Sequence, residues 1–172
     1  MVFILRDIAY EYRCYEQTDS TLYYYQNAYD LATAIRNSKL ADMVQNQMAS
    51  LYIEQGKYAL AKKALQPSLN NMDEPSRSGI FSIASKLYHK TGQLDSAAYY
   101  YRELLDFGTV YAKKAAHQGL AEIALTYGNL QEAAQHLSLY EHYIDSINKI
   151  TDTENIRRLN SQYNQQQRKN EK

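Results

Sequence analysis

The sequence predicts an all-α fold built from a tandem of helix pairs, and three observations carry that expectation. Gly56, Gly92 and Gly128 lie 36 residues apart, twice in succession. Each stands where one apolar-periodic segment stops and another starts, the usual place of a helix-ending glycine. Matching small and apolar residues flank these glycines at the same offsets. A tyrosine-rich string also occurs twice, as TDSTLYYYQNAYDLA from Thr18 to Ala32 and as GQLDSAAYYYRELL from Gly92 to Leu105.

Taken in chain order, Ile8-Ala9-x2-Tyr12 followed by Thr21-x3-Tyr25 forms a degenerate first copy. Met48-Ala49-x2-Tyr52 with Ala61-x3-Leu65 forms the second, and Phe81-x2-Ala84-Ser85-x2-Tyr88 with Ala97-x3-Tyr101 the third. Leu120-Ala121-x2-Ala124 with Ala133-x3-Leu137 forms the fourth. Small residues at Ala49, Ser85, Ala121, Ala61, Ala97 and Ala133 let two antiparallel helices approach closely. Tyr52, Tyr88, Leu65, Tyr101 and Leu137 are expected to fill the space between them. One pair cannot bury its apolar face alone, so neighbouring pairs should stack into a solenoid. The first two copies are 40 residues apart, Ala9 to Ala49, which implies a longer second helix or turn.

The repeat assigns each tyrosine of the two triplets a role. Tyr25 and Tyr101 belong to the core, Tyr24 and Tyr100 lean toward an adjacent helix, and Tyr23 and Tyr99 face outward. With 18 tyrosines, three phenylalanines and no tryptophan, tyrosine serves as the general aromatic filler. Pro75, after Asp73 and Glu74, suits the first turn of a new helix. Pro67 is expected to end or kink its helix near Gln66. Gly79 and Gly119 fall inside first helices, where they would permit close packing. From about Leu130 the pattern continues through Tyr140, Tyr143, Ile144, Ile147, Ile150, Ile156, Leu159 and Tyr163. After Tyr163 the run NQQQRKNEK has no apolar residue and is expected to fray. Residues 157–172 carry five basic and one acidic residue, as a solvated helix end does.

These residues resemble the tetratricopeptide repeat family, whose unit sets a large aromatic, Leu-Gly, Tyr, Ala, an aromatic and Pro at fixed spacings. The resemblance covers residues 2 to 144. The first aromatic slot holds Leu5, Gln45, Phe81 and His117, and the closing proline is absent from all four copies. It implies a right-handed superhelical solenoid of about four helix pairs, approximately 2–39, 42–74, 78–110 and 114–144. A C-terminal capping and exit helix would occupy 145–172. The stretches Asp145-Ser146-Ile147 and Leu159-x3-Tyr163-Asn164 also resemble the exit helix of bacterial membrane-linked regulators of this repeat type, in which the repeats form an extracytoplasmic sensor.

Composition narrows the function. The 19 basic and 19 acidic residues cancel, which argues against a nucleic-acid footprint. No apolar run reaches the roughly 18–20 residues of a membrane span, and MVFIL is too short for a secretory signal. The chain opens inside a helical pattern, as an excised fragment would. The single cysteine, Cys14, excludes an internal disulfide and is expected to be half-buried. His89, His117, His136 and His142 show no metal-ligand spacing, and His117 reads as a packed core histidine. No phosphate loop exists and Cys14 has no evident activating partner, so neither an enzyme nor a cofactor is expected.

The resemblance implies a peptide-binding groove lined by the first helix of each pair. Its positions map to Arg6, Tyr10 and Arg13, then Asn46, Ser50 and Glu54, then Ser82, Lys86, His89 and Lys90, and finally Gln118 and Glu122. Positive charge at Arg6, Arg13, Lys86 and Lys90 favours an acidic peptide or a free carboxylate. The family's chaperone-tail clamp is missing, since its places hold Arg6, Tyr10, Gln47, Gly79 and Ile83. The expected function is therefore a non-enzymatic protein- or peptide-binding scaffold, monomeric or weakly homodimeric. It would be periplasmic as the sensor of a regulator, or cytoplasmic as a free-standing adaptor. The alternatives are dimerisation through residues 141–163 and, less favoured, a helical-repeat RNA binder.

Overall fold

A computed structural model describes residues 1–71 and 76–170, the side chains of 164–170 excepted. Eight helices follow one another, and no strand occurs among the described residues. They are α1 (Val2–Cys14), α2 (Thr18–Ala34), α3 (Ser38–Glu54), α4 (Tyr58–Asn70), α5 (Arg77–Lys90), α6 (Leu94–Phe107), α7 (Val110–Thr126) and α8 (Leu130–Asn170). The length alone suggests one domain, but packing divides the chain into two compact units, Met1–Glu103 and Leu104–Lys172.

Within the first unit, α1 packs on α2, α2 on α3, and α3 on α4 and α5. One core joins Val2, Ala9, Tyr25, Ala28, Ala32, Val44 and Met48; another joins Ala49, Ile53, Ala61, Leu65, Ile80, Ala84 and Leu87. The expected small residues Ala49, Ala61, Ser85 and Ala97 are all buried. Thr21, in the slot that later copies fill with alanine, returns its hydroxyl to the Gln17 carbonyl at 2.9 Å, so its burial leaves no orphan donor. In the second unit α7 packs along α8, with Ala121 and Ala133 buried.

The turns explain the 36-residue spacing. At Gly92, φ is +73°, the Gly92 N–H donates to His89 and the Gln93 N–H reaches back to Tyr88. That double bond pattern closes a helix while satisfying its last carbonyls, and the positive φ suits glycine. Gly56 and Gly128 repeat it. So do Glu16 (φ +57°) and Arg36 (φ +54°), two turns that a search for glycines overlooks. A side chain in this left-handed region costs roughly 1 kcal/mol. Arg36→Gly is therefore expected to stabilise the protein, raising Tm by about 2–4 °C; a thermal melt beside wild type checks it. The extra residues between the first two copies lie in α2, 17 residues long against 13 in α4 and 14 in α6.

Both tyrosine triplets sort as expected. Tyr25 and Tyr101 are buried, and Tyr23 and Tyr99 are 64% and 54% exposed. Tyr24 stacks on Tyr12 (5.2 Å, 9°) and Tyr100 on Tyr88 (5.5 Å, 6°), while the exposed ring meets the middle one edge-on in each case.

Several expectations need correction. Pro67 does not end α4, which continues to Asn70, because the lost N–H falls in the last turn and disrupts only one bond. The Pro75 expectation lies outside the described residues. A Cβ added at Gly79 would meet nothing within 4 Å, so close packing does not account for it. Cys14 is exposed. Leu137 is 43% exposed, because the seam of α8 runs through Ala133, His136, Tyr140, Tyr143 and Ile147 instead. The backbone of α8 stays helical to Asn170, past the expected fraying at Tyr163; Gln, Arg and Lys hold a helix well without packing. Ile150, Ile156, Leu159 and Tyr163 are solvent-exposed along it.

Candidate functional site

The helices α1 and α3 of the first unit bring five of the twelve expected groove residues together. Arg6, Tyr10 and Arg13 recur at four- and three-residue steps, so they share one face of α1. Gln47, Ser50 and Glu54 do the same on α3. The two faces meet. The Arg13 guanidinium donates to Ser50 Oγ at 3.0 Å and to Glu54 Oε1 in a short ion pair. Arg6 pairs with its neighbour Asp7 at 2.6 Å and also contacts Met43 Sδ at 3.6 Å.

Next to this seam is a cavity of about 240 Å³ lined by Arg6 and Tyr10 of α1, Tyr25 of α2 and Gln47 of α3. Tyr25 is fully buried, and its hydroxyl makes no hydrogen bond of acceptable geometry among the described residues. Burial raises its pKa above the usual tyrosine value, and the Arg13 guanidinium only partly opposes that rise, so the hydroxyl stays protonated and able to donate.

The two arginines are not equivalent cations. Arg13 is fixed between two partners on another helix and is largely neutralised by Glu54. Arg6 pairs with an exposed, adjacent carboxylate, a pairing worth about 0–1 kcal/mol and readily exchanged, and its other contacts, Met43 and the Phe3 ring, are uncharged. Arg6 is therefore the cation available to a ligand, a distinction that charge counting along the sequence misses.

The remaining expected positions scatter. Asn46 has its side-chain oxygen buried, without a hydrogen-bond partner among the described residues. The Ser82 carbonyl accepts the Ser85 hydroxyl at 3.1 Å. His89 lies 3.1 Å from the Tyr101 hydroxyl and packs edge-on against that ring. Lys86 and Lys90 are exposed on α5. In the second unit, exposed Gln118 donates to Glu122 at 3.1 Å. Two cavity residues, Tyr25 and Gln47, were absent from the expected groove. The three-residue step from Gln47 to Ser50 is the signal that places Gln47 on that face.

His117 is buried as expected, but it has an unexpected partner: its Nδ1 lies 3.0 Å from Nδ1 of His136. Among the described residues no group of three His, Cys, Asp or Glu side chains is arranged to hold a metal ion, and no helix is long and apolar enough to cross a membrane. No family model and no curated protein matches the chain.

Proposed function

We propose that the chain is a non-enzymatic scaffold of the tetratricopeptide type that binds a peptide on the α1–α3 face of its first unit. The α1–α2–α3 cavity receives an acidic side chain or a free carboxylate. The observation that carries this reading is the convergence of an exchangeable cation, Arg6, with Tyr10, Gln47 and the unpartnered Tyr25 hydroxyl around one cavity. A charged acceptor entering there would replace Asp7 on Arg6 and gain charge-assisted hydrogen bonds. The resemblance supplies the solenoid and the groove; the cavity supplies a place within it.

A membrane-linked regulator is a second form of the same reading. It is favoured by α8, which runs unbroken for 41 residues and exposes the side chains of residues 148–163. A continuous helix is one means of passing a binding event onward.

The test is selection of peptides from a random display library against the folded protein. Enriched peptides should carry Asp, Glu or a free C-terminus, and Arg6→Glu should weaken the best of them by about tenfold or more. Lys90→Glu, at an exposed position on α5 that does not line the cavity, should change the affinity much less. Equal binding by wild type and Arg6→Glu would remove the cavity from the proposal.

A further inference from the structure

The second unit contains a polar chain that the binding function does not use. It begins at the turn before α8, where Asn129 Oδ1 accepts the Glu132 N–H at 3.3 Å and the Asn129 amide donates to Glu132 Oε2 at 2.8 Å. The other Glu132 oxygen lies 3.9 Å from His136 Nε2. His136 Nδ1 then meets Nδ1 of His117, 3.0 Å away on α7. His117 is 6% exposed and lies flat against Tyr143 of α8, with ring centroids 5.5 Å apart. The chain therefore crosses the α7–α8 seam at its most buried polar point.

A contact between two Nδ1 atoms requires that one carry a hydrogen and the other a lone pair. Two neutral rings meet this as opposite tautomers, and so does a pair that holds one added proton. His136, the more exposed ring, then donates through Nδ1 to His117 and turns its Nε2–H toward the Glu132 carboxylate. A second proton has no such outlet. It would place a cation on His117, buried, 3.0 Å from the charged His136 and near Lys113 of α7. Among the described contacts, the titratable and charged groups around His117 are Lys113 on its own helix, with His136, Glu132 and Tyr143 on α8. The one acid among them faces His136 rather than His117.

We propose that the His117–His136 pair is a proton-sensitive latch: it holds the first part of α8 against α7 while it carries no more than one proton, and releases it when both rings are charged. The direction of the pH dependence is set by His117. Burial first, then His136 and Lys113, hold its pKa below the usual imidazole value. The unfolded chain binds a proton there near pH 6.5, whereas the folded protein resists it until lower pH. Stability is therefore full above about pH 6.5 and is lost as the pH falls through the folded-state value.

The test compares thermal melts near pH 7.5 and pH 5 for wild type, His117→Phe and His136→Gln. Phenylalanine already fills the equivalent slot at Phe81, and glutamine at 136 keeps a polar partner for His117 without the second cation. Wild type should lose more Tm on acidification than either variant, by about 3 °C or more. Amide protection in α8 between residues 131 and 143 should drop over the same range most in wild type and least in His117→Phe. Equal pH slopes in wild type and in whichever variants are folded at neutral pH would overturn the latch. So would two imidazole titrations that proceed independently near pH 6.5.

Discussion

Tyr25→Ala is expected to destabilise the protein by about 3–5 kcal/mol, the usual cost of deleting a buried aromatic ring. Tyr25 has no exposed surface and lies in the core that joins α1, α2 and α3. Removing its ring would enlarge the adjacent 240 Å³ cavity instead of leaving a small void that neighbours could close. Its neighbours in the triplet should behave differently. Tyr24→Ala forfeits the stack on Tyr12, about 0.5–1.5 kcal/mol beyond the area it covers. Tyr23→Ala, at a position 64% exposed, should stay within about 0.5 kcal/mol of wild type. Denaturant melts of the three variants check this order, and equal losses would contradict the assignment of the triplet to one core, one seam and one surface position.

Ala61→Glu is the second large effect. Ala61 is fully buried among Ala49, Ile53, Leu65, Ile80, Ala84 and Leu87. Glutamate there adds volume where helices approach closely and buries a carboxylate with no partner, a cost of about 3–5 kcal/mol. That is much of the roughly 5–15 kcal/mol total stability of a typical domain, so cooperative unfolding should be lost or shifted far below the wild-type midpoint. Leu60→Glu, one residue away but 47% exposed, should be nearly neutral. If the two variants melted alike, the repeat alignment that places Ala61 inward would be wrong.

The contrast between these neighbours shows what sequence periodicity can reveal. Burial at Ala49, Ala61, Ala97 and Ala133 follows from their spacing alone, as does the sorting of the tyrosine triplets, because helical period dictates which side a residue takes. The glycine turns were legible for the same reason. Glu16 and Arg36 were not, since a left-handed residue with a side chain carries no local signature. Leu137 failed because the seam of α8 passes through His136, one residue away, and a single position rotates a side chain by about 100°.

The candidate site was legible face by face but not pair by pair. Arg6, Tyr10 and Arg13 share a helix face whatever they touch. That Arg13 spends its charge on Glu54, 41 residues away, depends on how α1 meets α3, and no local pattern encodes it. The same holds for His117 and His136, 19 residues apart and joined only across a helix seam.

The central claim, a peptide received at the α1–α2–α3 cavity, is tested most directly by mapping amide chemical shifts during titration with a selected acidic peptide. The account predicts that the largest shifts fall at Arg6, Tyr10 and Gln47 and that Arg6→Glu abolishes them. Shifts concentrated on α5 around Lys86 and Lys90, or spread evenly along the chain, would contradict it.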